Sequence, residues 1–257
     1  MTKSSLPSFG LHGKVVMVSG AGRGIGRACA LACAEAGADI VAIVRNDNAG
    51  KDLTSDIEAL GRRALIVPLD ISETRRIEDA VRDAVAHFGQ IDILVNNIGI
   101  SRRSLAQSVS EEDFDLVLGT NLKGTFFLTQ AVARTMIERR TGRILNISSQ
   151  AGTVTLREES IYCMSKAAIN HLTRCLAAEW GPLGIAVNSI SPTFIWTDST
   201  RPYLSDPEAH RKTLAHIPLG RIGETDDVAG AVVYLASPAG ALVNGANLMI
   251  DGGWSIA

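Results

Sequence analysis

The sequence predicts an α/β protein: one doubly wound domain over residues 1–257, with a seven-stranded parallel sheet covered by helices on both faces. Three observations carry this expectation. Seven short runs rich in β-branched residues recur along the chain, longer helical segments separate them, and the first run ends in a glycine-rich turn. Strands that read as near-continuous apolar runs are buried on both faces, and such burial is the condition of a parallel sheet.

In order, the runs are "KVVMVSG", "ADIVAIV", "ALIVPLD", "IDILVNN", "GRILNIS", "IAVNSIS" and "ANLMID", bounded by Gly, Pro, Asn or Asp. Among the segments between them, "ETRRIEDAVRDAVAHFG" is the clearest helix, because Ile77, Val81, Val85 and Phe88 form one apolar stripe among charges. No linker, repeat or low-complexity tract divides the chain. One stretch breaks the rhythm: "PTFIWTDSTRPYLSDPEAHRKTLAHIPLGRIGE", residues 192–224, is long, polar and punctuated by Pro192, Pro202, Pro207 and Pro218. Long excursions inside compact domains are usually functional, so a substrate lid of short hinged helices is expected at about residues 193–223.

Composition narrows the function classes. Apolar residues make up 46% of the chain and the formal net charge is −2, which excludes a disordered chain and gives no footprint for a nucleic-acid partner. "MTKSSLPSFGLHGK" has no continuous apolar segment, and the longest apolar region is interrupted by Pro238, Asn244 and several glycines, so neither a signal peptide nor a membrane anchor is expected. Cys29 and Cys33 share a helix face without a second ligand pair at zinc spacing, and they read as core thiols of a cytoplasmic protein. The five histidines are scattered. Neither a metal nor histidine-based catalysis is expected.

The first strand runs into "SGAGRGIGRACALACAEAG". Glycines 20, 22, 24 and 26 allow a tight turn that leaves backbone N–H groups and a helix amino terminus free to hold a pyrophosphate. About 20 residues on, at the end of the second strand, an acidic residue would bind the ribose hydroxyls of NAD. Val44 and Arg45 stand there instead. A guanidinium suits a 2′-phosphate, and Arg23 in the turn adds a second cation, so the expected cofactor is NADP, with NAD as the alternative if both arginines are merely solvated.

Several ordered motifs resemble those of the short-chain dehydrogenase/reductases. "SGAGRGIG" is similar to that family's T-G-x-x-x-G-x-G turn with Ser19 for threonine, "NNIG" at 96–99 to its N-N-A-G, and "YCMSK" to its Y-x-x-x-K. Ser149 stands thirteen residues before Tyr162, and Asn121 lies in "GTNLKGTF". The resemblance runs on through "NSISPTFIWTD", "PLGRIGETDDVAGAVVYLAS" and "NGANLMIDGG", covering nearly everything from Lys14 to Gly253. Two departures stand out: Ile98 replaces the usual alanine, and Thr193 replaces a glycine beside the nicotinamide.

That resemblance implies a Rossmann-type fold and the catalytic residues Asn121, Ser149, Tyr162 and Lys166. It also implies cofactor contacts from Gly20, Arg23, Gly24, Ile25 and Gly26 in the turn, and from Arg45, Asp70, Ile71, Asn97, Gly99, Tyr162, Lys166, Pro192, Ile195 and Thr197. It implies a homotetramer as well, joined through the helices carrying Asn121 and Tyr162 and through the carboxyl-terminal strand. In the reaction, hydride passes between nicotinamide and a carbonyl carbon while Tyr162 exchanges a proton with the oxygen. Ser149 hydrogen-bonds that oxygen, Lys166 holds the nicotinamide ribose, and Asn121 keeps a water that relays protons to Lys166.

Physical chemistry adds a reason for the Tyr162–Lys166 spacing. Residues four apart share a helix face, and an ammonium about 4 Å from a phenol at an effective dielectric near 20 favours phenolate by roughly 4 kcal/mol, or about three pH units before desolvation. The expected reaction therefore interconverts a secondary alcohol and a ketone. "QAGTVTLREESI" and the arginines Arg102 and Arg103 point to a polar substrate, a polyol or sugar acid first and a 3-oxoacyl thioester second, unless these charges are ordinary surface. A non-catalytic dinucleotide-binding regulator would be expected to lack part of the tetrad, and none of it is missing.

Overall fold

The computed structural model describes residues 7–45 and 50–257. The first six residues of the amino-terminal stretch discussed above lie outside them. The strands are β1 (Val15–Ser19), β2 (Asp39–Val44), β3 (Ala64–Pro68), β4 (Ile93–Asn96), β5 (Gly142–Ile147), β6 (Ile185–Pro192) and β7 (Asn247–Ile250). All pair in parallel, in the order β3-β2-β1-β4-β5-β6-β7. Each lies within the apolar run that predicts it, except that β6 extends one residue past its run, to Pro192. The order reverses direction between β1 and β4, and in such sheets ligands bind at that switch point, beyond the carboxyl ends of the strands.

Alternation along the strands feeds two core layers. Val16, Val18, Ile40 and Ala42 face a layer closed by α1 (Gly24–Glu35), α2 (Lys51–Ala59) and α9 (Thr225–Ala236). Val15, Met17, Val41 and Ile43 face the other, closed by α3 (Ile77–Phe88), α5 (Thr125–Arg139) and α6 (Ser160–Trp180). In α3, Ile77 and Val81 are buried and Val85 and Phe88 pack against the same layer, as the stripe predicts.

One element departs from simple periodicity. Ser110 caps α4 (Glu111–Leu118), accepting a hydrogen bond from the Asp113 N–H, but α4 does not run straight into α5. Gly119–Gly124 forms a π-helical stretch between them, and Asn121 sits in it, buried. Wide turns of this kind cluster at functional sites because they re-aim side chains that a regular helix would leave in register.

Past β6 the excursion holds two short helices, α7 (Arg201–Leu204) and α8 (Pro207–Leu214). It closes a small core of its own from Leu204, Ile217 and Ile222, with Phe194, Trp196, Leu214 and Trp254 packed against it. A bridge between Ile195 and Gly223 ties its two roots together. Among the described residues, no helix is long and apolar enough to cross a membrane.

Candidate active site

The site begins where β1 and β4 separate. The Ser19 hydroxyl accepts from the N–H groups of Asn97 (3.0 Å) and Ile98 (3.3 Å), and the Asn97 amide donates back to the carbonyls of Ser19 (3.1 Å) and Gly20 (3.3 Å). These bonds, two of them to the Ser19 hydroxyl, fix the glycine turn against the end of β4. Gly24 adopts a left-handed φ of 54°. A Cβ on Gly26 would stand 2.2 Å from the Gly20 carbonyl oxygen. No side chain caps α1, Arg23 is extended at its N-cap, and its first turn carries no acidic residue. Its free N–H groups, followed by Ile25 and Gly26, therefore fit a pyrophosphate.

Toward the β2–β3 side, Arg45 is largely exposed, with Nε 3.8 Å from the Asp70 carboxylate. Burial pulls the Asp70 carboxyl upward, but two hydrogen bonds from Ser72 and the nearby Arg45 hold it below the usual range. Ile71 is a core residue, so only its backbone is left to face a nucleotide.

The carboxyl ends of β4 to β6 bring the remaining residues together. Asn121 accepts from the Ile100 N–H (2.8 Å) and donates to the Ile100 carbonyl (2.9 Å) and the Ser165 hydroxyl (3.0 Å). The Ser165 hydroxyl in turn donates to the Tyr162 carbonyl (2.7 Å), linking the π-helical stretch to α6. Ser149 accepts from the Ala151 N–H and donates to Gln150 Oε1 (2.8 Å). Lys166 is buried, and Nζ donates to the Ile147 carbonyl (2.9 Å). Gly99 gives it room, since a Cβ there would lie 3.0 Å from Nζ.

The electrostatics add the desolvation that the spacing argument leaves out. Burial pushes the Tyr162 phenol up to about 12; the Ser149 hydroxyl beside it pulls the other way, and the Glu159 and Cys163 charges add to the rise. Burial takes the Lys166 ammonium down to about 8. Lys166 Nζ lies 5.7 Å from the centroid of the Tyr162 ring, on the face that the spacing of four predicts. Desolvation is the largest cause for both groups.

At the root of the segment after β6, Pro192 ends the strand and the Thr193 N–H donates to the Ile250 carbonyl. The Thr193 hydroxyl is buried and has no protein partner. Ile195 is buried, with its carbonyl accepting from Thr200. Thr197 approaches to 3.4 Å from the position of a Gly24 Cβ, so the segment after β6 starts against the glycine turn.

Sequence reasoning missed a buried polar layer beneath this site. The Asn96 amide donates to Thr129 (2.7 Å) and Asn146 (2.9 Å), and the Asn146 amide donates to Thr173 (2.9 Å). Ser148 donates to the Lys166 carbonyl (3.1 Å). The available signal was two asparagines ending apolar runs, in "ILVN" and "ILN", which the sheet places directly opposite each other.

Comparison with known proteins identifies the family. The profile of the family described as Enoyl-(Acyl carrier protein) reductase matches residues 20–255. A D-threitol dehydrogenase of Mycolicibacterium smegmatis is 40% identical over 250 residues, covering 96% of this chain and 95% of that protein. A 2-dehydro-3-deoxy-D-gluconate 5-dehydrogenase of Dickeya dadantii is also 40% identical over 250 residues, with 97% and 98% covered. The crystal structure of a gluconate 5-dehydrogenase from Burkholderia cenocepacia, in complex with NADP and tartrate, superposes with a TM-score of 0.95 at 35% identity, covering 99% of this chain and all of that one. The chain belongs to the short-chain dehydrogenase/reductase family. It is an oxidoreductase that interconverts CH–OH and carbonyl groups with a nicotinamide dinucleotide.

Proposed function

We propose that the enzyme oxidises or reduces a small polyhydroxylated substrate, a polyol or sugar acid, at a secondary carbon, with NADP preferred to NAD. The observation that carries this is the wall beside Tyr162: Ser101, Arg103 and Glu159 form a polar surface there, unlike a channel for an acyl chain. The names of the similar proteins, D-threitol, 2-dehydro-3-deoxy-D-gluconate and gluconate 5-dehydrogenases, support the same substrate class. Arg45 at the end of β2, where NAD-specific sites need a carboxylate, supports NADP, as does the NADP bound in the Burkholderia protein.

Gly20, Arg23, Gly24, Ile25 and Gly26 would hold the phosphates of the dinucleotide, and Asp70, Ile71, Asn97, Gly99, Pro192, Ile195 and Thr197 would line the rest of its site. When bound, it would supply or accept a hydride. Tyr162 holds the proton exchanged with the substrate oxygen, and Ser149 donates a hydrogen bond to that oxygen. Lys166 provides the positive charge that a Tyr162 phenolate needs in a dry site, and Asn121 fixes the loop after β4 against α6. The segment at residues 193–223 acts as the lid, supported by its separate small core and its two short helices.

The assembly proposed is a homotetramer in the cytoplasm. Phe114, Leu116, Phe126 and Phe127 are exposed on α4 and α5, and the edge strand β7 is only half-buried, so two apolar surfaces are available to further copies. Four free cysteines, two of them buried four residues apart, support a reducing compartment.

Turnover of alditols and aldonic acids with either nucleotide, with fluorescence titration of NADPH and NADH, tests the proposal. Wild type should turn over members of these classes and bind NADPH more tightly. Tyr162→Phe should lose at least a hundredfold in kcat while NADPH affinity holds, the scale of one acid/base catalyst. Unchanged kcat in the folded variant removes Tyr162 from the mechanism, and tighter NADH overturns the cofactor preference.

A further inference from the structure

Three separate segments meet beside Tyr162: Ser101 and Arg103 after β4, Glu158 and Glu159 just before α6, and Tyr203 on α7 of the lid segment. On sequence alone Arg102 and Arg103 are two cations able to hold an anionic substrate. The structure answers both from within the chain. Arg102 Nε lies 3.5 Å from Asp113. Arg103 Nη2 lies 3.4 Å from Glu158 and its Nε 3.7 Å from Glu159, and its guanidinium stacks 5.2 Å over the Tyr203 ring.

Two details show that this arrangement is built. Glu158 is in the left-handed region at φ 68°, one of two non-glycine residues with positive φ among those described. Such a conformation costs about 1 kcal/mol or more and persists only where the surroundings impose it. Here it sets two successive carboxylates around one guanidinium, while the Glu158 carbonyl accepts from the Ser104 N–H (2.9 Å) to bind the two loops together. Glu159 has a side chain only 12% exposed, and its Oε2 accepts the Ser101 hydroxyl. Its charge is felt at the Tyr162 phenol, three residues on along the same helix start.

We infer that Glu159 determines substrate specificity, and that with Arg103 held by Glu158 and Glu159 the site selects a neutral polyol over the corresponding sugar acid. This rests on the reading of the site as one for polyhydroxylated substrates. An ionised carboxylate is an acceptor only, so Glu159 can take a hydrogen bond from a substrate hydroxyl next to the reacting carbon. A substrate carboxylate has no proton to give it. It meets like charge at Glu159 and, on this wall, no guanidinium free of an internal carboxylate. Discrimination here comes from the repulsive element as much as from the attractive one.

The test compares kcat/KM of the NADP-loaded enzyme for alditols of four to six carbons with aldonates of matched length. Wild type should favour the alditols at least tenfold. Glu159→Gln should lower alditol kcat/KM at least tenfold, chiefly through KM, and raise that of the aldonates, so the ratio collapses while NADPH affinity is unchanged. Glu159→Asp should restore part of the ratio. Wild-type preference for aldonates, or a Glu159→Gln variant that loses both series equally, overturns the inference while leaving the polyhydroxylated-substrate reading intact. Turnover of neither series by an enzyme that still binds NADPH overturns both.

Discussion

Replacing Lys166 with methionine separates what this lysine does for the fold from what it does for the reaction. Lys166 is 4% exposed, and burial holds its ammonium at about 8 instead of 10.5. Below pH 8 the folded protein carries a charged group that the unfolded chain would hold more readily, so the full penalty applies. Between about 8 and 10.5 the folded lysine is neutral while the unfolded one is still protonated, so folding releases a proton and stability rises with pH. Above that window neither state is charged, and the penalty is gone. At about 1.4 kcal/mol per pH unit, the penalty is about 3 kcal/mol at pH 7 and about 1 kcal/mol at pH 10.

Methionine fills similar volume without the charge but leaves the Ile147 carbonyl without its donor, a loss of about 1–3 kcal/mol that does not depend on pH. Lys166→Met should therefore be roughly as stable as wild type or slightly more so at pH 7, and should lose about 2 kcal/mol relative to wild type between pH 7 and pH 10. Urea unfolding of both proteins without nucleotide, at fixed protein concentration and several pH values, measures this directly. A stability difference that stays constant over that range would show that Lys166 is not held below its ordinary value. The same variant should be inactive, because nothing is left to balance a Tyr162 phenolate.

Two further expectations concern the cofactor cleft. In Gly26→Ala the new Cβ would lie 2.2 Å from the Gly20 carbonyl and 2.5 Å from the Asn97 amide, so the glycine turn must shift. NADPH affinity should fall at least tenfold, about 1.4 kcal/mol by fluorescence titration, and unchanged affinity would place the pyrophosphate elsewhere. Residues 193–223 should exchange amide hydrogens fastest in the free enzyme and become protected when NADP and a substrate analogue bind together. Equal protection in both states would make the segment a fixed wall.

The sequence by itself determined what depends on local pattern. Apolar runs of strand length, the stripe of α3, the glycine turn and the spacing of Tyr162 and Lys166 are set by a few neighbouring residues, and each is found where the pattern places it. What only the tertiary structure decided are the quantities that depend on segments far apart in the chain. Asn96 and Asn146 become partners because the β4–β5 register sets them opposite each other. The π-helical stretch at Gly119–Gly124 lies where Asn121 bonds Ile100 and Ser165. Arg103 looks like a free cation in sequence and is answered by Glu158, 55 residues later. Tyr162 and Lys166 show the same limit most plainly. Spacing reveals that a phenol and an ammonium share a face, which predicts attraction, but not how much water reaches them. Desolvation is a property of everything packed around a group, and here it moves both groups against their charged forms.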